Sequence, residues 1–478
     1  MNISFHGAAR TVTGSKHLVT LENRSKFLLD CGMFQGCGPA TEKLNMQFGF
    51  NPKTVRFVLL SHAHIDHSGL LPKLVKEGFT GKIYCTAATA ELASILLEDS
   101  ANLQASEADL INKKRTANNN DEIPYEPLYN PEDVKKTIEL FTIVEYNKAF
   151  KPSKNIKAVY TNNGHLIGSA AIHLTITEGE ETTTLLFSGD VGRYRSALLQ
   201  SPAETQQADY IILESTYGDK LHNLVNNNID VLHEWIVKTC IEKNGKLVIP
   251  AFSVGRTQEL LYALNQLELE KRLPETHYFV DSPLSNKATE VIKKFPELFN
   301  DTLQAVLKID TDPFLFKGLK HITDVQDSIL LKETEKPCVI ISASGTADAG
   351  RVRHHISSII EDPKNTVLMV GYCGPVSLGG ELIAGAKTVE IFGESKDVEA
   401  EVDLLPGMSA HGDQDDLMQF LNQQDPMTVK GIFLVHGEYK TQTAFASKLE
   451  TKGFSNIQIP EHHQKISTLT KVPKAARA

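Results

Sequence analysis

The sequence has no paired thiolates. Its six cysteines (Cys31, Cys37, Cys85, Cys240, Cys338, Cys373) are scattered without CxxC spacing, which argues against a thiolate metal site and against a disulfide framework. They read as reduced thiols in core positions. No run of 18 or more apolar residues occurs, so no membrane-spanning helix is expected. The opening Met1-Asn2-Ile3-Ser4-Phe5-His6 lacks the basic start, apolar middle and cleavage site of a signal peptide, and a cytoplasmic location is the expectation. Excess positive charge is missing too. With 49 basic against 59 acidic side chains the net charge is -10, so the field of the whole chain does not attract a polyanion, and any nucleic-acid contact must be local. The Lys113-Lys114-Arg115 cluster reads as a solvated helix face. No internal repeat is seen, and the runs Asn118-Asn119-Asn120 and Asn226-Asn227-Asn228 read as loops.

What remains is an ordinary globular composition, 41% hydrophobic and 23% charged, over 478 residues. That length exceeds one compact core, so two domains, or one domain with a large insertion, are expected. Short apolar strands punctuate the first 200 residues: Leu18 to Leu21, Phe27 to Leu29, Phe57 to Leu60, Lys157 to Tyr160 and Leu185 to Phe187. Between them lie helical stripes such as Leu70, Leu71, Leu74 and Val75, with similar patterns over 88–106 and 131–141. This is a layered α/β pattern. From about 209 to 395 strands alternate with longer helices (Tyr210 to Leu213, Leu247 to Ile249, Tyr278 to Val280, Val339 to Ile341, Thr366 to Val370), which predicts a doubly wound parallel sheet. The earlier style returns with Gly431 to Val435. The expected organisation is therefore a first domain of 1–208 and 396–478, interrupted by an inserted domain of 209–395. The tail after Lys465, with Lys471, Lys474 and Arg477, reads as frayed.

The chemistry concentrates where the strand Phe57 to Leu60 ends, at Ser61-His62-Ala63-His64-Ile65-Asp66-His67-Ser68-Gly69. Three imidazoles and a carboxylate at the exit of a buried strand are costly without a partner, and a metal ion supplies one. His62 and His64, two apart in an extended loop, can converge on one ion, while Asp66 and His67 open the next helix and can reach a second. Nitrogen and oxygen donors without thiolate suit Zn²⁺, with Mn²⁺, Fe²⁺ or Co²⁺ as alternatives. His165 in Asn163-Gly164-His165, Asp190 in Ser188-Gly189-Asp190 and His436 in Val435-His436-Gly437 stand at three further strand exits. Together they make seven donors and predict a two-metal centre on one rim of a sheet.

The order HxHxDH, Gly-His, Ser-Gly-Asp and a late His resembles the metallo-β-lactamase superfamily, and Asp30 in Leu28-Leu29-Asp30-Cys31-Gly32 fits its early aspartate motif. The resemblance implies an αββα sandwich, with His62, His64 and His165 on one zinc ion, Asp66, His67 and His436 on the other, and Asp190 bridging. Further motifs are similar to the β-CASP nucleases: Leu213-Glu214-Ser215-Thr216-Tyr217-Gly218, the run from Pro250 to Leu260, Asp281-Ser282-Pro283 and Met408-Ser409-Ala410-His411-Gly412-Asp413. That likeness runs from Gly7 to about Glu438 and implies cleavage of RNA, single-stranded RNA in preference. Glu214, His411 and His436 carry over the family's nucleic-acid-linked motifs. Two motifs depart from the family pattern, Ser344-Gly345-Thr346-Ala347-Asp348-Ala349-Gly350-Arg351 and Val376-Ser377-Leu378-Gly379, and they bear on substrate preference. An RNA-binding extension of the KH kind is not expected at either end. Oligomeric state is left open, with a homodimer as the candidate assembly.

The mechanism implied has two metals supplying a hydroxide nucleophile that Asp66 helps to orient, and His411 as general acid, held in its tautomer by Glu214. Arg256 and Arg351, each following a glycine near a helix start, are expected phosphate contacts. Ser253, Ser282 and Ser344 are candidate substrate contacts or helix caps, and Tyr217 can stack a base. His6, His17, His173, His354 and His355 are expected to be structural. A hydrolase of small thioesters or lactams would explain the zinc motif alone, and a scaffold without activity would have lost ligands. A di-iron centre would have a glutamate in place of His64.

Overall fold

The computed structural model describes residues 1–117, 124–222, 228–371, 373–405 and 407–468. Asn118 to Asn120, Asn226, Asn227, Lys471, Lys474 and Arg477 lie outside them. The chain forms two compact units, one of 1–194, 201–220 and 411–478, the other of 195–200 and 221–410.

The first unit is built from strands whose apolar residues alternate in a way that feeds two cores. Phe27, Leu29, Phe57 and Leu59 from one seven-stranded sheet meet Ile172, Leu174, Leu185, Phe187, Ile212 and Phe433 from another. Their sequence neighbours point the other way. Leu28, Val58 and Leu60 pack with Leu70, Leu71 and Leu74, the last two in the helix Leu71–Lys76. Leu186, Ile211 and Leu213 pack under the helices Gln414–Phe420 and Tyr439–Thr451 through Leu417, Phe420, Phe445 and Leu449. Because period-2 alternation buries both faces of each sheet, the result is four layers, helix, sheet, sheet, helix. This is the expected αββα sandwich.

Two elements differ from the sequence reading. Tyr210–Glu214, expected in the inserted domain, pairs in parallel with Glu181–Phe187 and with Gly431–Val435, so it lies in the middle of the sandwich. Its uninterrupted apolar run fits a strand buried on both faces in either domain, and periodicity cannot choose between them. The compact units accordingly divide at 220/221 and 410/411 rather than at 208/209 and 395/396. The start of the tail expected to fray is ordered instead, because Lys465–Ser467 pairs with Asn2–Phe5 at the sheet edge. Backbone pairing does not need an apolar sequence, and this strand has none to announce it.

The second unit holds a six-stranded, all-parallel sheet in the order Leu319–Ile322, His277–Asp281, Cys338–Ser342, Lys246–Pro250, Thr366–Met369, Glu401–Leu404. The two outermost strands escaped the sequence reading, since each has four residues of which only two are apolar. At the end of His277–Asp281 the fully buried Asp281 accepts from Arg351 Nη1 at 2.7 Å and from His355 Nε2 at 2.6 Å. Burial alone would raise this carboxyl, yet the hydrogen bonds from His355, Ser328 and Arg351 hold it below its ordinary value. A depressed carboxylate stabilises the fold above the unfolded pKa of about 3.9 and loses that contribution as pH falls through the lower folded value. Wild-type protein should therefore lose more urea stability between pH 6 and pH 3 than Asp281→Asn does; equal losses would remove Asp281 from this role. At pH 7, Asp281→Ala should cost about 1–3 kcal/mol, because it leaves the buried His355 Nε2 and the half-buried Arg351 without their acceptor.

All six cysteines are free thiols. Cys31, Cys85, Cys240 and Cys338 are buried as expected, but Cys37 and Cys373 are half-buried. Among the described residues no helix is long and apolar enough to cross a membrane.

Candidate metal centre

Four donors stand just past the C-terminal ends of strands of the sandwich, and Asp66 and His67 lie in the short helix Ile65–Ser68 that follows the first of them. His62 follows Val55–Leu59, His165 follows Ile156–Asn162, Asp190 follows Glu181–Phe187 and His436 follows Gly431–Val435. Two turns bring them together. A Cβ on Gly192 would lie 2.0 Å from the Gly164 backbone, so the His165 and Asp190 loops touch back to back only because no side chain intervenes. His436 itself sits at φ 50 and Asp30 at φ 59, a left-handed conformation that costs non-glycine residues about 1–2 kcal/mol each and recurs at functional sites.

The seven side chains form two sets around one carboxylate. His64 Nδ1 lies 3.1 Å from His62 Nε2 and 3.2 Å from His165 Nε2. Asp190 Oδ2 is 3.4 and 3.5 Å from those same Nε2 atoms. On the other side His436 Nε2 lies 3.2 Å from Asp66 Oδ2, and Asp190 Oδ1 is 3.2 Å from His67 Nε2 and 3.6 Å from His436 Nε2. The two oxygens of Asp190 thus face different donor sets.

For His62, His67 and His436 the outer nitrogens are already committed, which orients the inner ones. The Ser61 hydroxyl donates to Asp30 Oδ2 at 2.9 Å and so accepts from His62 Nδ1 at 3.1 Å. Thr216 Oγ1 donates to the His436 carbonyl and accepts from His436 Nδ1, both at 3.0 Å. His67 Nδ1 donates to Asp30 Oδ2 at 2.6 Å. Outer-nitrogen donation of this kind is how proteins aim imidazole lone pairs at a metal. Burial pushes His62 and His165 well below the ordinary imidazole pKa and His64 down to about 4, so all three keep those lone pairs at neutral pH. His67 is the exception. Burial would lower it, but Asp190, Asp66 and Asp30 hold it well above the ordinary value, as expected where three carboxylates face a place that calls for positive charge. Two buried atoms aimed inward, His67 Nε2 and Asp190 Oδ1, lie 3.2 Å apart without a well-directed hydrogen bond to any group. The groups His62, His64, His165, Asp190 and Asp66, His67, His436 each bring their donor atoms within 4.8 Å of one another. The residues fit a divalent metal ion.

Beside this centre stands His411. Its Nδ1 lies 3.1 Å from Glu214 Oε1, and its Nε2 is 4.0 Å from Asp190 Oδ2. The fully buried Glu214 is held in turn by the backbone amides of Val191 at 2.7 Å and Thr216 at 3.2 Å. Burial lowers the His411 pKa, but Glu214 and Asp190 outweigh it and raise the group to about 9. The Tyr217 ring centre is 6.3 Å from that of His411.

A sandwich of this kind with donors on this rim defines a protein of the metallo-β-lactamase superfamily, and the model of that superfamily matches residues 15–233. The Beta-Casp domain model matches residues 257–382, and that of the Zn-dependent metallo-hydrolase RNA specificity domain matches 395–460. The chain belongs to the β-CASP family of the superfamily. It is 35% identical to Ribonuclease TTHA0252 of Thermus thermophilus over 95% of this chain and 97% of that one. It is also 30% identical to the transcription termination factor FttA of Methanosarcina mazei, over 91% of this chain and 67% of that one. An RNase J-like protein of Methanocaldococcus jannaschii is 29% identical over 96% of each.

Four of the five expected substrate contacts of the second unit have side chains with partners of their own. Arg256 is buried and pairs with Glu259 one turn along its helix. Arg351 is tied to Asp281, and its Nη2 donates to the Thr323 carbonyl at 2.8 Å. Ser282 caps the helix Pro283–Ile292 by accepting from Ser285 N. Ser344 accepts from Ala349 N at 3.4 Å within its turn. The Ser253 carbonyl accepts from Gln258 Nε2 at 3.2 Å. Of the histidines expected to be structural, His17 and His355 are fully buried, and His354 stacks on Phe392.

Sequence reasoning missed Ser61, Thr216 and Asn163. The Asn163 side-chain amide donates to the Ser188 carbonyl at 2.6 Å and to that of Asp190, setting the Asp190 turn. Each lies inside a quoted motif, which is the only local signal it carries.

Proposed function

We propose that the protein is a zinc-dependent ribonuclease that hydrolyses phosphodiester bonds of single-stranded RNA. The observation that carries this reading is Asp190, whose two oxygens face separate donor sets while His411 stands beside it. One ion would be held by His62, His64 and His165, a second by Asp66, His67 and His436, with Asp190 shared. When bound, such a pair of divalent ions acidifies a water and neutralises charge developing on phosphoryl oxygens.

The protein's own groups supply the rest. Asp66, half-buried at the rim, offers its carboxylate to orient the attacking water. His411 carries a proton at neutral pH, because Glu214 accepts from Nδ1 and stabilises the imidazolium. That leaves Nε2 to protonate the leaving oxygen. RNA as substrate is supported by the match to an RNA specificity domain and by the ribonucleases among the relatives.

Purified protein should carry about two zinc ions per chain and cut single-stranded RNA. Chelation should abolish cutting, and Zn²⁺ or Mn²⁺ should restore it. Comparing 5′-labelled with internally labelled RNA reads endonucleolytic against 5′ exonucleolytic action. Zinc-loaded protein that leaves RNA intact but hydrolyses thioesters or lactams would overturn the reading.

A further inference from the structure

A lysine beneath the centre takes no part in this chemistry, yet it is wholly buried. Lys16 has no exposed surface. Its ammonium donates to the Gly14 carbonyl at 2.9 Å and to the Gly32 carbonyl at 2.7 Å, and lies over the Phe34 ring, 4.3 Å from its centre. Burial lowers its pKa to about 7. An ammonium is an expensive way to fill a core position, because two carbonyls and a ring replace its hydration shell only if all are held in place.

The backbone that it braces is the one that carries metal donors. Residues 30–33 run alongside the HxHxDH loop and are laced to it. Cys31 N donates to the His67 carbonyl at 2.8 Å, Met33 N to that of Ile65 at 3.0 Å, and Leu70 N to that of Cys31 at 2.9 Å. Gly32 N donates to the Ser15 carbonyl at 2.8 Å, and Ser15 N donates to the Asp66 carbonyl at 2.8 Å. At the head of the same strip Asp30 receives His67 Nδ1, with Ser61 N at 2.7 Å and Ser15 Oγ at 3.3 Å. The packing leaves no slack. A Cβ on Gly32 would fall 1.6 Å from the Asp66 carbonyl oxygen, and one on Gly7 1.8 Å from the Gly14 oxygen that Lys16 holds.

We propose that Lys16 is a positioning residue for the metal centre: by joining the Gly14 and Gly32 carbonyls it fixes the strip that sets Asp66 and, through Asp30, the ring of His67. The donor set Asp66, His67, His436 depends on this brace. The set His62, His64, His165 lies a step further off, reached from Asp30 through the Ser61 hydroxyl that accepts from His62 Nδ1, and is the set expected to keep its ion. The proposal rests on the reading of these residues as metal ligands.

The test is a Co²⁺ titration of chelator-treated full-length protein, following the visible absorption of the bound ion, for wild type, Lys16→Met, Lys16→Gln and the core variant Leu28→Ala. Wild type should bind two equivalents. Lys16→Met should bind one as wild type does and the other about 10–100-fold more weakly, the usual cost of losing a group that orients a ligand. Lys16→Gln, which keeps a donor, should recover part of the loss, and Leu28→Ala should bind as wild type does despite its lower stability. Unchanged affinity in Lys16→Met, an equal loss in Leu28→Ala, or failure of both lysine variants to fold would each overturn the proposal, the last because it would make Lys16 a residue of the fold alone. If wild type binds no Co²⁺, the metal-centre reading fails instead, and with it the premise of this one.

Discussion

His411→Ala should cut RNA about 10²–10⁴-fold more slowly than wild type, the range that removal of a general acid produces, while retaining its full metal content. The loss should fall on kcat with KM little changed, because His411 is placed to serve the leaving oxygen rather than to hold substrate. Glu214→Gln should show a smaller loss, since an amide at the same place still accepts from Nδ1 but no longer stabilises the imidazolium. Cleavage gels with labelled RNA and elemental analysis of the same preparations read both quantities. The metal reading matters. Asp190, His411 and His436 also bring donor atoms within 4.8 Å of one another, so a variant that loses both activity and metal would show His411 to be a ligand and not the acid.

Asp190→Ala should be more damaging still. Asp190 faces both donor sets, so its removal takes an anionic donor from each and leaves His62, His67, His165 and His436 without their shared counter-charge. Bound metal should fall below one ion per chain, and cleavage should fall by more than about 10³-fold, beyond the loss expected for one electrostatic contact to the transition state. His64→Ala, which thins only one set, should keep the other ion. If Asp190→Ala retained two ions, the shared position of Asp190 would be wrong and the two sets would be independent.

How far the sequence carried this description depended on how local each signal was. His62, His64, Asp66 and His67 were legible because six consecutive residues at a strand exit carry all four donors. His165, Asp190 and His436 were legible because each ends an apolar strand and has a glycine beside it. Thr216 was not, since its partner His436 lies 220 residues further on. Lys16 gave no signal, because a lysine beside a strand reads as solvent-facing until the two glycine carbonyls that accept from it are known. Arg256 and Arg351 show what local sequence leaves out. A cation after a glycine at a helix start suggests phosphate binding, and the structure adds that each is also paired with a carboxylate, Glu259 and Asp281. The strand Tyr210–Glu214 read as fully buried, which it is, and its apolar run could not say in which sheet.

By itself the sequence determined the kinds of layer and the inventory of donors. Alternation with period 2, helical stripes and strand-exit motifs are properties of neighbouring residues, and the physics that they express acts over a few bonds. The tertiary structure added the distances that set Asp190 between two groups of side chains and Glu214 against His411, which the family resemblance had implied, and it alone showed a buried lysine joining the Gly14 and Gly32 carbonyls. Those facts depend on how strands hundreds of residues apart pair and on which glycines let their loops touch.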